Sequence, residues 1–149
     1  IIGKALSGGF YPVSAVLADR EIMGLFTPGE HGSTFGGNPL GAAVARTALR
    51  VLIEEDMIEN AARLGEYFME QLAEIPSQHI KEVRGKGLLI GVELYPEAGG
   101  ARKYCEMLQR KGILAKETHD HVIRFAPPLI VEKKTLDWAI RRIAKVLAK

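Results

Sequence analysis

The sequence predicts an α/β fold, and three observations carry that prediction. Val13 to Ala18 is a short apolar run with little alternation, the pattern of a strand covered on both faces. Leu40, Ala43, Val44, Thr47, Ala48, Val51 and Leu52 recur at helical spacing, as do Leu136, Ala139, Ile140, Ile143 and Val146. Between these, residues 80–128 alternate short apolar runs with Gly- and Pro-containing breaks, a mixture of strands, turns and one helix. The resulting organisation has three parts. Residues 1–37 read as the edge of a larger sheet domain, 38–56 as a connecting helix, and 57–149 as a small α+β domain.

Taken in order, Tyr11-Pro12 opens the strand at 13–18, and Asp19 is placed to cap a short helix over Arg20 to Gly24. Residues 27–38 hold Thr27, Pro28, four glycines, Ser33, Thr34 and Asn38, which is loop composition. Asn38 before Pro39 is an N-cap and first-turn signal for the long helix. A second helix is expected from Met57 to Glu74, carrying Ile58, Ala61, Ala62, Leu64, Phe68 and Leu72, with Pro76 ending it. Ile80–Val83 and Leu88–Leu94 read as strands joined through Arg84-Gly85-Lys86-Gly87. A helix over 101–111 stops at Gly112, a C′ glycine. Ile113–Lys116 and Val122–Phe125 read as short strands flanking a polar turn, and a last helix runs from Glu132 to Leu147 after Pro127-Pro128.

Composition narrows the function classes. Of 149 residues, 47% are apolar and 26% charged, which suits a globular domain with a sizeable core. A net charge of +2 is too small to argue for a nucleic-acid or acidic-membrane partner, and no apolar run is long enough for a membrane span. The lone Cys105 excludes an internal disulfide and suits a reducing compartment. Four histidines lack zinc-ligand spacing with Cys105, so no metal site is expected. Arg84-Gly85-Lys86-Gly87 lacks the full Gly-rich pattern of a phosphate loop and the helix that follows one.

Three places carry candidate chemistry. Lys4 stands between Gly3 and Ala5, just before Ser7-Gly8-Gly9, where a planar partner can approach its ε-amine closely. On its own this reads as a surface lysine in a Gly-rich turn, because G-K dipeptides are common; burial or a nearby cation would let such a lysine spend time as the neutral nucleophile. Ser33 and Thr34 lie in Gly29-Glu30-His31-Gly32-Ser33-Thr34-Phe35-Gly36-Gly37-Asn38-Pro39, a loop feeding a helix N-terminus. Hydroxyls and free N–H groups there suit a phosphate, or they order the turn. Arg124, inside Val122-Ile123-Arg124-Phe125, fits either a bidentate carboxylate or a structural ion pair.

Taken together, the stretch around Lys4 and the loop at 29–41 resemble the class III, fold-type I aminotransferases, which use pyridoxal 5'-phosphate. Residues 3–19, 84–89 and 112–131 resemble them too, so the likeness covers essentially the whole chain. In that family the large domain is a mainly parallel sheet with one antiparallel strand, which Val13–Ala18 resembles. Such enzymes are more than twice this long, and the chain is expected to be their C-terminal portion.

The resemblance implies roles residue by residue. Lys4 is the expected Schiff-base lysine, which binds the cofactor and moves a proton at the substrate. Thr34, with Ser33 beside it, is expected to contact the cofactor phosphate of the other subunit, which makes a homodimer with its active site at the interface. Arg124 is expected to bind the substrate carboxylate. Within the family the likeness is greatest to members that move the δ-amino group of ornithine to 2-oxoglutarate, giving glutamate 5-semialdehyde and glutamate; members acting on N-acetylornithine or 4-aminobutyrate are the alternatives. The cytoplasm is the expected compartment, or the mitochondrial matrix in a eukaryote. The acid that faces the pyridine nitrogen has no candidate here, so these residues alone are not expected to transaminate. A non-catalytic structural or oligomerisation module is the other reading.

Overall fold

Backbone contacts divide the chain, in a computed structural model that describes residues 1–148, into two compact units, Ile1–Asp56 and Met57–Lys149.

In the first unit, Ile2 and Ala15 exchange a pair of backbone hydrogen bonds of 2.9 and 2.8 Å. That bridge is all that forms of the strand expected at 13–18. A strand covered on both faces needs neighbours on each side, and here Val16 and Leu17 are exposed. Lys4–Ser7 make one 3-10 turn, closed by Gly8 in the left-handed region at φ 65°. Ser7 is buried, and its Oγ accepts a 3.1 Å hydrogen bond from the Tyr11 N–H. Helix α1 (Arg20–Met23) starts after Asp19, whose side chain makes no capping bond.

Helix α2 (Pro39–Glu54) is capped as its sequence predicts: Asn38 Oδ1 accepts the Gly41 N–H at 2.8 Å, and proline takes the first turn. The buried face is rotated from the expected stripe. Gly41 and Ala45 are the buried positions, whereas Leu40, Ala43 and Thr47 face solvent. The reason is steric, because the turn around Lys4 lies against this helix. A Cβ on Gly41 would stand 3.3 Å from Tyr11 Cε1, and one on Gly8 3.7 Å from Ala48 Cβ. Close approach selects small residues over the most apolar ones.

The second unit is an antiparallel sheet of four strands in the order β1-β2-β4-β3: Ile80–Lys86, Leu89–Leu94, Val122–Phe125 and Lys116–Thr118 for β1, β2, β4 and β3 respectively. Helices α3 (Met57–Ala73) and α4 (Arg102–Gln109) cover one face, and α5 (Lys133–Leu147) packs on both of them. The core joins Leu64, Phe68 and Leu72 of α3 to Ile90, Val92, Leu94, Ile123 and Phe125 of the sheet and to Leu136, Ile143 and Leu147 of α5. Phe68 meets Phe125 edge-on at 5.9 Å. The other face of the sheet carries Arg84, Glu93 and Arg124 and is not covered by a helix, the alternation of a half-buried antiparallel sheet.

Two boundaries differ from the sequence reading. Strand β1 runs on through Lys86, so the turn is Gly87-Leu88 and not Arg84 to Gly87. Strand β3 begins at Lys116 because the preceding residues close the end of α4: the Gly112 and Ile113 N–H groups bond the carbonyls of Gln109 and Leu108, each at 3.0 Å. At the β1–β2 turn the backbone meets α3 closely. A Cβ on Gly65 would lie 2.1 Å from the Gly87 carbonyl oxygen, so only glycine fits.

Candidate active site

An open groove of about 860 Å³ runs through the first unit, lined by Lys4, Ser14, Phe35, Gly37, Asn38 and Arg46 among others. Its construction follows from local chemistry. Gly3 is extended, and a Cβ there would press on Ser14 Cβ at 3.1 Å, a tight contact that favours glycine beside the lysine. Lys4 itself has φ 53°, a conformation uncommon for a side-chain-bearing residue. The buried Ser7 hydroxyl ties the turn to Tyr11 and thereby fixes where Lys4 starts. Among the described residues the Lys4 ammonium has no carboxylate partner, and no carboxylate lines the groove.

Part of the groove lining comes from the Gly-rich loop. Ser33 Oγ accepts the Gly36 N–H at 2.8 Å, Asn38 Nδ2 donates to the Phe35 carbonyl at 2.8 Å, and Gly37 turns at φ 71°. Phe35, Gly36 and Gly37 therefore join Lys4 on the groove, whereas Ser33 and Thr34 do not line it. Both are exposed, with Ser33 engaged in its own turn.

Arg124 belongs to the second unit. It lies on the open face of the sheet, exposed, and among the described residues it has no carboxylate within ion-pair distance. Its neighbours contrast with it. Arg84 bonds Glu82 and Glu93 at 2.8 and 2.5 Å, and Lys81 bonds Glu93 at 2.6 Å. The hydrogen bonds from Lys81 and Arg84 hold the Glu93 carboxyl below its ordinary range. Glu117 is held at about 2, first by its bond from Lys116 and also by Arg102. The structural ion pair left open for Arg124 is thus not made within the described residues. Its guanidinium is available to an outside anion.

Sequence reasoning missed Ser7, Arg46 and Lys116. A hydroxyl between Leu6 and a glycine pair was the one signal for Ser7; Arg46 lies in no motif and Lys116 lies in the family-like stretch 112–131 without a role of its own, and only the fold places one on the groove and the other opposite Arg124. No group of three or more His, Cys, Asp or Glu among the described residues could hold a metal ion, and no described helix is long and apolar enough to cross a membrane.

A lysine on a groove beside a Gly-rich loop, in this α/β arrangement, defines a class that the comparisons identify: the model for "Aminotransferase class-III" matches residues 1–147, and the chain belongs to that family. The relatives and solved structures it matches are more specific. It is 60% identical over 148 residues to an ornithine aminotransferase of Geobacillus sp. (strain WCH70), covering 99% of this chain and 36% of that protein. An acetylornithine aminotransferase structure from Elizabethkingia anophelis superposes with a TM-score of 0.90 at 46% identity, over 97% of this chain and 39% of that one. A Toxoplasma gondii ornithine aminotransferase structure, described with partial occupancy of PLP at its active site, superposes with a TM-score of 0.90 at 42% identity, over 98% of this chain and 35% of that one. The chain therefore spans about a third of the length of the relatives it matches.

Proposed function

We propose that this chain contributes the cofactor-bearing lysine and the substrate-carboxylate arginine to a pyridoxal 5'-phosphate-dependent aminotransferase that moves the δ-amino group of ornithine to 2-oxoglutarate. The observation that carries the reading is Lys4: an amine on an open groove, without a carboxylate partner among the described residues, in a chain of the class III family. The residues present fit one end of the cofactor. The Lys4 amine suits its aldehyde, and small neighbours leave room for a planar ring. The groove has no acid for the pyridine nitrogen, so that contact must come from outside its lining.

Bound there, pyridoxal phosphate supplies an electron sink for the substrate's amine-bearing carbon. Lys4 Nζ would hold the cofactor by its aldehyde and, as a free amine, would take the proton from that carbon and pass it to the cofactor, since a proton returned to the same carbon would leave the amine untransferred. Arg124 orients the substrate by its carboxylate through two parallel N–H bonds. Thr34, exposed and off its own groove, serves the phosphate in a second copy of the chain, with Ser33 shaping the turn that presents it. The exposed Phe10, Leu17, Phe26 and Phe35 support such an apolar interface. In this reading residues 1–37 are part of a larger cofactor-binding domain, 38–56 connect, and 57–149 form the small domain. The buried Cys105 suits the cytoplasm as its compartment.

Steady-state assays of the native protein carrying this sequence test the substrate choice, with 2-oxoglutarate as acceptor and ornithine, N-acetylornithine and 4-aminobutyrate as donors. Ornithine is expected to give the highest kcat/KM. A higher value for N-acetylornithine would shift the assignment to the activity named for the Elizabethkingia structure.

A further inference from the structure

On the open face of the sheet, four residues stand in one row across the strands. Arg84 is opposite Gly91, Gly91 opposite Arg124, and Arg124 opposite Lys116. Three of these are cations, and they are not equivalent. Arg84 is occupied by Glu82 and Glu93. Among the described residues Arg124 has no carboxylate within ion-pair distance, and Lys116 sits directly across from it on the neighbouring strand. Like charges opposite one another on one face weaken a strand pair, so this placement calls for an anion between them.

Lys116 itself is paired with the residue next to it. Its Nζ lies 2.7 Å from Glu117 Oε1, and the same oxygen accepts Arg102 Nη1 at 2.9 Å. Successive residues of a strand face opposite sides, and the place of β3 at the edge of the sheet lets Lys116 Nζ reach the neighbouring Glu117 carboxylate. The side chain is 61% exposed, and its flexible stem leaves it free to return to the open face. Glu117 keeps Arg102 if Lys116 leaves, so no bare carboxylate results.

We propose that Lys116 is a second substrate-binding residue: its ammonium moves from Glu117 to the carboxylate that Arg124 holds. The proposal rests on the assignment of Arg124 to the substrate carboxylate. A carboxylate has about four lone-pair sites, and a bidentate arginine uses two, leaving acceptors for a lysine on the adjacent strand. Glu117 is then the resting partner and a competitor for the same ammonium. Substrates with a carboxylate gain from Lys116, whereas a diamine without one does not.

The test uses the native protein carrying this sequence, with Lys116→Gln, Lys116→Arg, Glu117→Gln and Arg124→Lys compared. KM for ornithine and the calorimetric Kd for 2-oxoglutarate are measured, with 1,4-diaminobutane as the carboxyl-free donor. Lys116→Gln is expected to raise KM and Kd about three- to fivefold, the scale of an exposed charge pair, with kcat within about twofold and the diamine unaffected. Lys116→Arg should restore most of the binding, and Glu117→Gln should tighten it by freeing the lysine. Unchanged KM and Kd in Lys116→Gln, alongside weakened binding in Arg124→Lys, would overturn the role of Lys116 alone. Unchanged binding in both would overturn the Arg124 assignment as well. Equal loss for ornithine and the diamine, or weaker binding in Glu117→Gln, would reduce Lys116–Glu117 to a structural pair and overturn the proposal.

Discussion

Residues 57–148 bury a continuous core of aliphatic and aromatic side chains, whereas residues 1–56 bury only Ser7, Gly41 and Ala45. The contrast does not come from a lack of apolar residues in the first unit. Phe10 and Phe35 are 85% and 80% exposed there, and Leu17, Leu25 and Phe26 are exposed as well. The second unit pairs each apolar stripe with another within about 90 residues of chain: α3 with the sheet, α5 with α3 and α4. In the first unit, tight backbone turns and small residues set the geometry, and the large apolar groups are left facing out. One unit is held by burial; the other is shaped by tight turns around Lys4 and leaves its large apolar side chains exposed.

Removing a core ring should break that contrast most visibly. Phe68→Ala is expected to cost about 3–5 kcal/mol, read by urea unfolding through Trp138, the only tryptophan in the chain, which reports on the second unit. Phe35→Ala, which removes a ring of the same size from an exposed site, should change that transition by no more than about 0.5 kcal/mol. Equal losses would mean that burial is not what separates the units.

Next in size is Gly65→Ala. The new methyl would collide with the Gly87 carbonyl, and because backbone must move, the expected loss is about 3 kcal/mol. A crystal structure of this variant should show α3 displaced from the β1–β2 turn. Undiminished stability would show that the close approach is not required.

The smallest effect is expected at the start of α2. Asn38→Ala removes both the cap to Gly41 and the bond to the Phe35 carbonyl, at a cost of about 1 kcal/mol. Faster amide exchange over residues 35–42, with residues 57–148 unchanged, is the signature. Unchanged exchange there would show that the loop is held by something other than this side chain.

The same contrast explains what was legible in the sequence. The helices and three of the four strands of the second unit were readable from periodicity, because their apolar residues find partners nearby in the chain. The strand at 13–18 was not, since apolar character reports a demand for neighbours and not their presence, and only Ile2 meets it. The stripe on α2 was misread because close approach to the Lys4 turn favours Gly41 and Ala45 over Leu40. At the site, Lys4 and Arg124 were visible as residue types in telling surroundings. The left-handed backbone at Lys4, the lack of a carboxylate at Arg124 among the described residues and the placement of Lys116 beside it depend on pairings that no local pattern encodes.

The central claim is that Lys4 carries the cofactor. The native protein loaded with pyridoxal 5'-phosphate should be reduced with borohydride, digested, and mapped by mass spectrometry for the pyridoxyl label. The account predicts label on Lys4 and its loss in Lys4→Ala. Label on Lys86, Lys111, Lys116 or any other lysine, or none at all, would contradict it.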